Sequence, residues 1–171
     1  EHFGIPFFSY DVFPALKSGN TYDVARKLRY QMLQHHSVTH GMDVIATAHH
    51  ADDVAETILM HLSRGCGIDG LCGVRQRHSS LGDCDVVRPF LSVRKNRLEE
   101  ICNKAKLEFC IDKSNFNTEK SRAYLRHSVI PALEKLNPAF VMHVAKTAMI
   151  VQGMVEKNSD KKNNKEHSAH A

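Results

Sequence analysis

The chain has 171 residues, 42% of them hydrophobic, which suits one core of ordinary size plus a tail and argues against two independent domains. A net charge of +4 permits contact with nucleic acid without requiring it, and the 12 histidines add positive charge below about pH 6.5. Five cysteines with no CxxC pair argue against a disulfide framework and a four-cysteine zinc site, and fit reduced thiols in a cytoplasmic protein.

No apolar run approaches the ~18 residues of a membrane span, so no membrane association is expected. The opening EHFGIPFF lacks the basic and apolar regions of a signal peptide and reads as if the chain began in mid-domain. Ile5 to Val12 is a plausible strand. Asn20 can cap a helix with the acidic Asp23 in its first turn, and Val24, Leu28 and Met32 recur on one face while Arg26, Arg29 and Tyr30 project from others. Gly41 should end that helix. Met42 to Ala48 is apolar enough for a buried strand, and Ala51 opens a helix with Val54, Ile58 and Leu62 on one stripe.

Ser63 to Val74 carries four glycines and predicts a loop too flexible for regular structure, suited to close backbone approach to a ligand. Val86 to Leu91 reads as a short strand with Pro89 at an edge or end. Val93 to Leu107 is an amphipathic helix with Leu98, Ile101, Cys102 and Ala105 facing inward, and Phe109 to Ile111 reads as a last short extended piece. Asp112 to Asn117 is a turn built from hydrogen-bonding side chains, with Asp112, Ser114 and Asn115 serving the turn more readily than a ligand. Thr118 to Leu136 is helical and interrupted near Ile130 by Pro131. A final helix runs from Pro138 to Val155, and the polar remainder reads as disordered.

The segment ATAHHADDVAET, Ala46 to Thr57, concentrates ionisable groups where a strand hands over to a helix, the usual place for a binding site in a parallel α/β sheet. Helical geometry puts Asp53, Glu56 and Thr57 on one face, with Asp52 rotated by roughly 100°. The residues alone leave several readings open. Asp52 or Asp53 can cap the helix. His49, His50, Asp52 and Asp53 can form the ligand set of a metal-dependent phosphoesterase, although adjacent side chains at 49 and 50 leave a strand in opposite directions. Thr57 can bond a helix carbonyl or a substrate. Arg64 can meet a phosphate or solvent, and Arg122 and Arg126, four apart, can clamp a phosphate together. Lys95, Arg97, Arg75 and Arg77 add a basic population available to an RNA backbone.

Seven segments, ARKLRY, ATAHHADDVAET, LSRGCGIDGL, VVRPFL, DKSN, RAYLRHSVIPAL and the NP at 137–138, occur in the order seen in bacterial tRNA(Ile)-lysidine synthetases. The chain resembles that family of N-type ATP pyrophosphatases of the PP-loop group. The resemblance implies an α/β fold with a parallel sheet of the Rossmann-like, adenine nucleotide alpha hydrolase-like kind, incomplete at the amino terminus and followed by carboxyl-terminal helices. The expected division is a partial PP-loop domain at 1–110, a helical extension of it at 111–157 and a disordered tail at 158–171.

The implied activity is ATP-dependent adenylation of C2 of the wobble cytidine in a tRNA(Ile) with a CAU anticodon, followed by attack of the L-lysine ε-amine to give lysidine. ATP and Mg²⁺ are the implied cofactors, and a homodimer is compatible with the reading. Asp53 would hold Mg²⁺ or accept the amine proton, and His49 would serve as a second catalytic group beside the lysine-recognising pair. Glu56 and Arg29 would recognise the ammonium and carboxylate of lysine, Thr57 would touch substrate, and Arg64, Arg122 and Arg126 would contact nucleotide or tRNA. Ala123 stands where the family motif has asparagine. The family's SGGxDS phosphate loop is absent, so the chain is expected to be a partial domain, inactive alone, or a degenerate paralogue. Alternatives are a PP-loop tRNA thiolation enzyme, against which the missing CxxC counts, and a non-catalytic RNA-binding module.

Overall fold

The computed structural model describes residues 4–10, 21–81, 84–110 and 121–169. The chain divides into two compact units, 1–46 with 78–87 and 47–77 with 88–171.

In the first unit, helix α1 (Thr21–Thr39) ends as expected, with Gly41 at a φ of 60° that glycine adopts without strain. Strand β1 (Val44–Ala46) is shorter than the apolar run that predicted it. It pairs in parallel with β3 (Cys84–Val87), with Ile45 opposite Val86, and β2 (Arg77–Leu81) flanks β3 on the other side. Ile45, Cys84 and Val86 form the core, and Tyr30 and Leu33 of α1 pack on it. Tyr30 therefore faces inward, contrary to its expected place, because the helix turns its 30, 33 and 37 positions to the sheet and Ser37 is buried there. Gly4 to Tyr10 holds no regular strand, and Val12 falls outside the described residues. Strand β2 was not anticipated, since RHSSL lacks the apolar alternation that marks a half-buried strand.

The second unit is built on α2 (Ala51–Ser63), whose Ala51, Val54, Ala55 and Ile58 are buried at the i, i+3, i+4, i+7 spacing. They meet Val141, Ala145 and Ala148 of α7 (Phe140–Ala169), together with Leu91 and Ile130. Small alanines on both helices allow close approach. Leu62, expected on the buried stripe, is exposed. Helix α3 (Ile68–Leu71) interrupts the glycine-rich segment that was expected to be irregular throughout. Gly70 permits it, because a Cβ there would stand 2.5 Å from the Cys66 Cβ. Pro89 follows the end of β3, and Phe90 bridges His50 in parallel.

Helix α4 (Lys95–Lys104) is less amphipathic in place than on paper: Leu98 and Cys102 are half-buried, but Ile101 and Ala105 are exposed. Helix α5 (Ser121–Tyr124) passes through a π turn, Leu125–Val129, into α6 (Ile130–Leu136). The Ile130 N–H donates to the Leu125 carbonyl five residues back, and Pro131 next to it has no N–H to continue an α ladder. The interruption falls where Pro131 predicted it. Helix α7 continues to Ala169 instead of stopping at Val155, since no glycine or proline follows Gly153 and lysine, glutamate and alanine favour helix. Residues 111–120, with the predicted turn at Asp112 to Asn117, lie outside the described residues.

Candidate functional site at the start of helix α2

His50 is the extended N-cap of α2, and its backbone N–H donates to Asp53 Oδ2 at 2.9 Å, half of a capping box. The second Asp53 oxygen has no hydrogen-bond partner among the described residues, and the side chain is 19% exposed. Asp52 has a different task. Its Oδ2 accepts the Lys95 backbone N–H at 2.8 Å, capping α4, while Oδ1 accepts from Arg94 Nε at 3.1 Å and lies 3.0 Å from Nη2. Arg94 also reaches Glu134 at 2.8 Å. Partial burial opposes the Arg94 charge, but the hydrogen bonds and charges of Asp52 and Glu134 outweigh it and raise its pKa above the ordinary value.

His49 Nδ1 lies 2.9 Å from Thr47 Oγ1. His50 Nδ1 is 3.3 Å from Asp53 Oδ2, yet it is buried without a well-directed hydrogen bond among the described residues. No group of three or more His, Cys, Asp or Glu side chains able to hold a metal occurs among the described residues. The phosphoesterase reading of His49, His50, Asp52 and Asp53 is thereby corrected, because Asp52 is committed to α4 and Arg94. A hydrated Mg²⁺ carried with a nucleotide is a different case: it needs one or two protein carboxylates, and the open oxygen of Asp53 fits that demand.

Glu56, expected to offer its carboxylate to a ligand, is 0% exposed and already has a cation. Arg126 Nε donates to Oε1 at 2.6 Å and Nη2 to Oε2 at 3.0 Å, a two-pronged contact. The expected Arg122–Arg126 clamp is therefore corrected: Arg126 serves Glu56, whereas Arg122 is exposed. The π turn explains this, because it breaks the four-residue spacing that would align the two arginines. Thr57 Oγ1 is buried with no hydrogen-bond partner among the described residues, so the expected bond to a helix carbonyl is not formed. Ala123, at the family's asparagine position, is buried.

Arg64 closes α2 as an exposed C-cap. Beyond it the glycine-rich segment is held by His61 Nδ1, which donates to the Gly70 carbonyl at 2.8 Å. Gln152 of α7 does the same further on, with its amide donating to the Cys72 and Val74 carbonyls at 2.6 and 3.1 Å and accepting from Gln76 N–H at 3.3 Å. Gln152 and Arg94 were not anticipated. Gln152 continues the buried 141, 145, 148 spacing, and a polar residue at such a position is the mark of a satisfied internal bond. Arg94 has no comparable mark. The predicted RNA-facing bases are largely engaged locally: Lys95 with Glu99, Arg97 with Glu100 and Arg75 with Asp69, while Arg77 also has a partner.

In the first unit, Arg29 is exposed in a groove of about 470 Å³ shared with Phe8, Tyr10, Met32 and His36. Tyr10 Oη lies 2.8 Å from His36 Nδ1, and the His36 ring stands 4.2 Å from those of both Phe8 and His40. Loss of hydration and then the neighbouring His40 and His35 lower the His36 pKa. Arg26 lies 5.2 Å from the centroid of the Tyr30 ring.

A parallel strand pair followed in the chain by a helix bearing ionisable groups at its start defines an α/β protein. The chain belongs to the PP-loop domain family, whose sequence profile matches residues 2–133. It is similar to tRNA(Ile)-lysidine synthases. That of Thermosipho africanus is 36% identical over 118 residues, 69% of this chain and 26% of the relative. That of Legionella pneumophila is 37% identical over 132 residues, 77% of this chain and 30% of the relative. That of Porphyromonas gingivalis is 34% identical over 130 residues, 76% and 28% respectively. The chain thus spans less than a third of the length of these relatives. Among solved structures it is similar to the U34-tRNA thiolase NcsA from Methanococcus maripaludis with its 4Fe-4S cluster, at a TM-score of 0.60 and 15% identity over 84% of this chain and 47% of that one. At that identity the likeness shows the fold alone.

Proposed function

We propose that this chain is part of the catalytic domain of a cytoplasmic ATP-dependent ligase that joins L-lysine to C2 of the wobble cytidine of a tRNA(Ile) with a CAU anticodon. The observation that carries the reading is the 34–37% identity to tRNA(Ile)-lysidine synthases over most of this chain. In this reaction the cytidine O2 attacks the α-phosphorus of ATP and releases pyrophosphate. The lysine ε-amine then adds at C2, AMP leaves, and the amine gives up a proton.

The open oxygen of Asp53 supports its role as the acceptor of that proton or as a Mg²⁺ ligand. Bound with ATP, Mg²⁺ would supply neutralisation of phosphate charge. His49, just before helix α2, is assigned as a further polar group of the site, with its Nδ1 2.9 Å from Thr47 Oγ1. Glu56 is assigned to the substrate ammonium, Arg29 to the carboxylate and Thr57, with its unsatisfied hydroxyl, to a substrate polar group. Exposed Arg64 and Arg122 are assigned to phosphates of ATP or tRNA. The thiolation reading has the fold likeness in its favour and no residue of this chain. The protein acts as a monomer or a homodimer on this reading.

The test uses the polypeptide carrying this chain. AMP and pyrophosphate should form only when ATP, lysine and tRNA(Ile) are all present. Asp53→Asn keeps an acceptor for the His50 N–H yet should slow the reaction by about 10²–10⁴-fold. Turnover with an RNA lacking the isoleucine anticodon loop, or with ammonia or sulfide in place of lysine, would sink the substrate assignment.

A further inference from the structure

Glu56 is wholly buried, and both of its oxygens are taken by one guanidinium whose side chain is 28% exposed. A buried carboxylate is costly without a counter-charge, and a second cation reaching Glu56 competes with the first for the same two oxygens. The guanidinium is delivered by the π turn at Leu125–Val129, a kind of helix irregularity that recurs at functional sites. We propose that Arg126 is a gate on Glu56: it holds the carboxylate in the absence of ligand and yields one or both oxygens to the ammonium of an amine substrate. The inference rests on the assignment of Glu56 to the substrate ammonium.

Arg126 is thus a positioning residue whose removal has opposite effects on fold and on ligand affinity. Without the gate, Glu56 loses its resident partner and the protein becomes less stable. The same loss removes a competitor, so the ammonium binds more tightly. If Arg126 occupies Glu56 in about nine-tenths of unliganded molecules, its removal tightens binding about tenfold. A residue with only a structural role would weaken binding or leave it unchanged.

The experiment is calorimetric titration of L-lysine into the polypeptide carrying this chain and into its Arg126→Gln, Arg126→Lys and Glu56→Gln variants. Arg126→Gln should bind lysine about tenfold more tightly than the wild type. Arg126→Lys keeps a cation on the buried carboxylate but loses the fork, so it should fold even where the glutamine variant does not, and should show a smaller tightening. Glu56→Gln should bind weakly. Should Glu56→Gln bind weakly while neither folded Arg126 variant binds more tightly than wild type, the gate is overturned and the ammonium assignment stands. Should Glu56→Gln bind as the wild type does, the ammonium role of Glu56 falls and the gate with it. Absence of lysine binding to the wild type that neither Arg126 variant restores also overturns the gate.

Discussion

Asp52 and Glu56 of the second unit each meet an arginine, whereas the arginines of the first unit meet a ring or solvent. Arg94 bridges Asp52 and Glu134, and Arg126 grips Glu56 with two prongs, while Arg29 stays exposed beside Phe8 and Tyr10. Paired charge with little water fixes the geometry of the backbone that carries it. Exposed charge next to an apolar groove contributes little to folding and is free to recognise a ligand. Asp53 stands between these extremes, with one oxygen spent on the helix start and the other open.

The comparison breaks most sharply at Arg126. Arg126→Ala leaves the Glu56 carboxylate buried without its partner and should cost about 3–5 kcal/mol in urea unfolding. A cost under about 1 kcal/mol would mean that the pair behaves like a surface ion pair. Gln152→Met comes next. It removes one side chain from three backbone groups, so the loss should be about 1–3 kcal/mol, with faster amide exchange around Gln76. Unchanged exchange there would show that the glycine-rich segment is held by other contacts.

Arg29→Ala should change stability by no more than about 0.5 kcal/mol while raising the KM for lysine. A large fall in stability with unchanged KM would make Arg29 a structural residue with no part in recognising lysine. The smallest effect concerns His36, whose imidazole should titrate below its ordinary value of 6.5 in an NMR pH series. Because the folded pKa is the lower one, the unfolded chain takes up the proton first as pH falls through 6.5. Acid therefore destabilises the first unit slightly through this residue. His40→Ala should move the titration back toward the ordinary value, and no movement would leave lost hydration and His35 as the causes.

Helix α2 was legible because its apolar spacing and its acidic start lie within one short segment, and local periodicity reports such a helix directly. The break at Pro131 was legible for the same reason: a missing N–H acts on its own helix. Strand β2 was not, since its residues carry no alternation, and α7 runs past Val155 because polar residues that look disordered in composition also include strong helix formers. Tyr30 was placed on the wrong face because the spacing of Val24, Leu28 and Met32 does not reveal which side of α1 meets a sheet.

The sequence by itself determined the α/β class, the start of α2 and the ordered motifs that align this chain with the PP-loop domain family. These depend on covalent neighbours and on spacing along one element. Only the tertiary structure decided what each acid does there. Asp52 meets Arg94 across 42 residues and Glu56 meets Arg126 across 70, and Asp53 alone of the three keeps an oxygen without a partner among the described residues. Partners so distant in sequence are chosen by packing and by the cost of burying an unpaired charge, and neither is written in the spacing of a single helix.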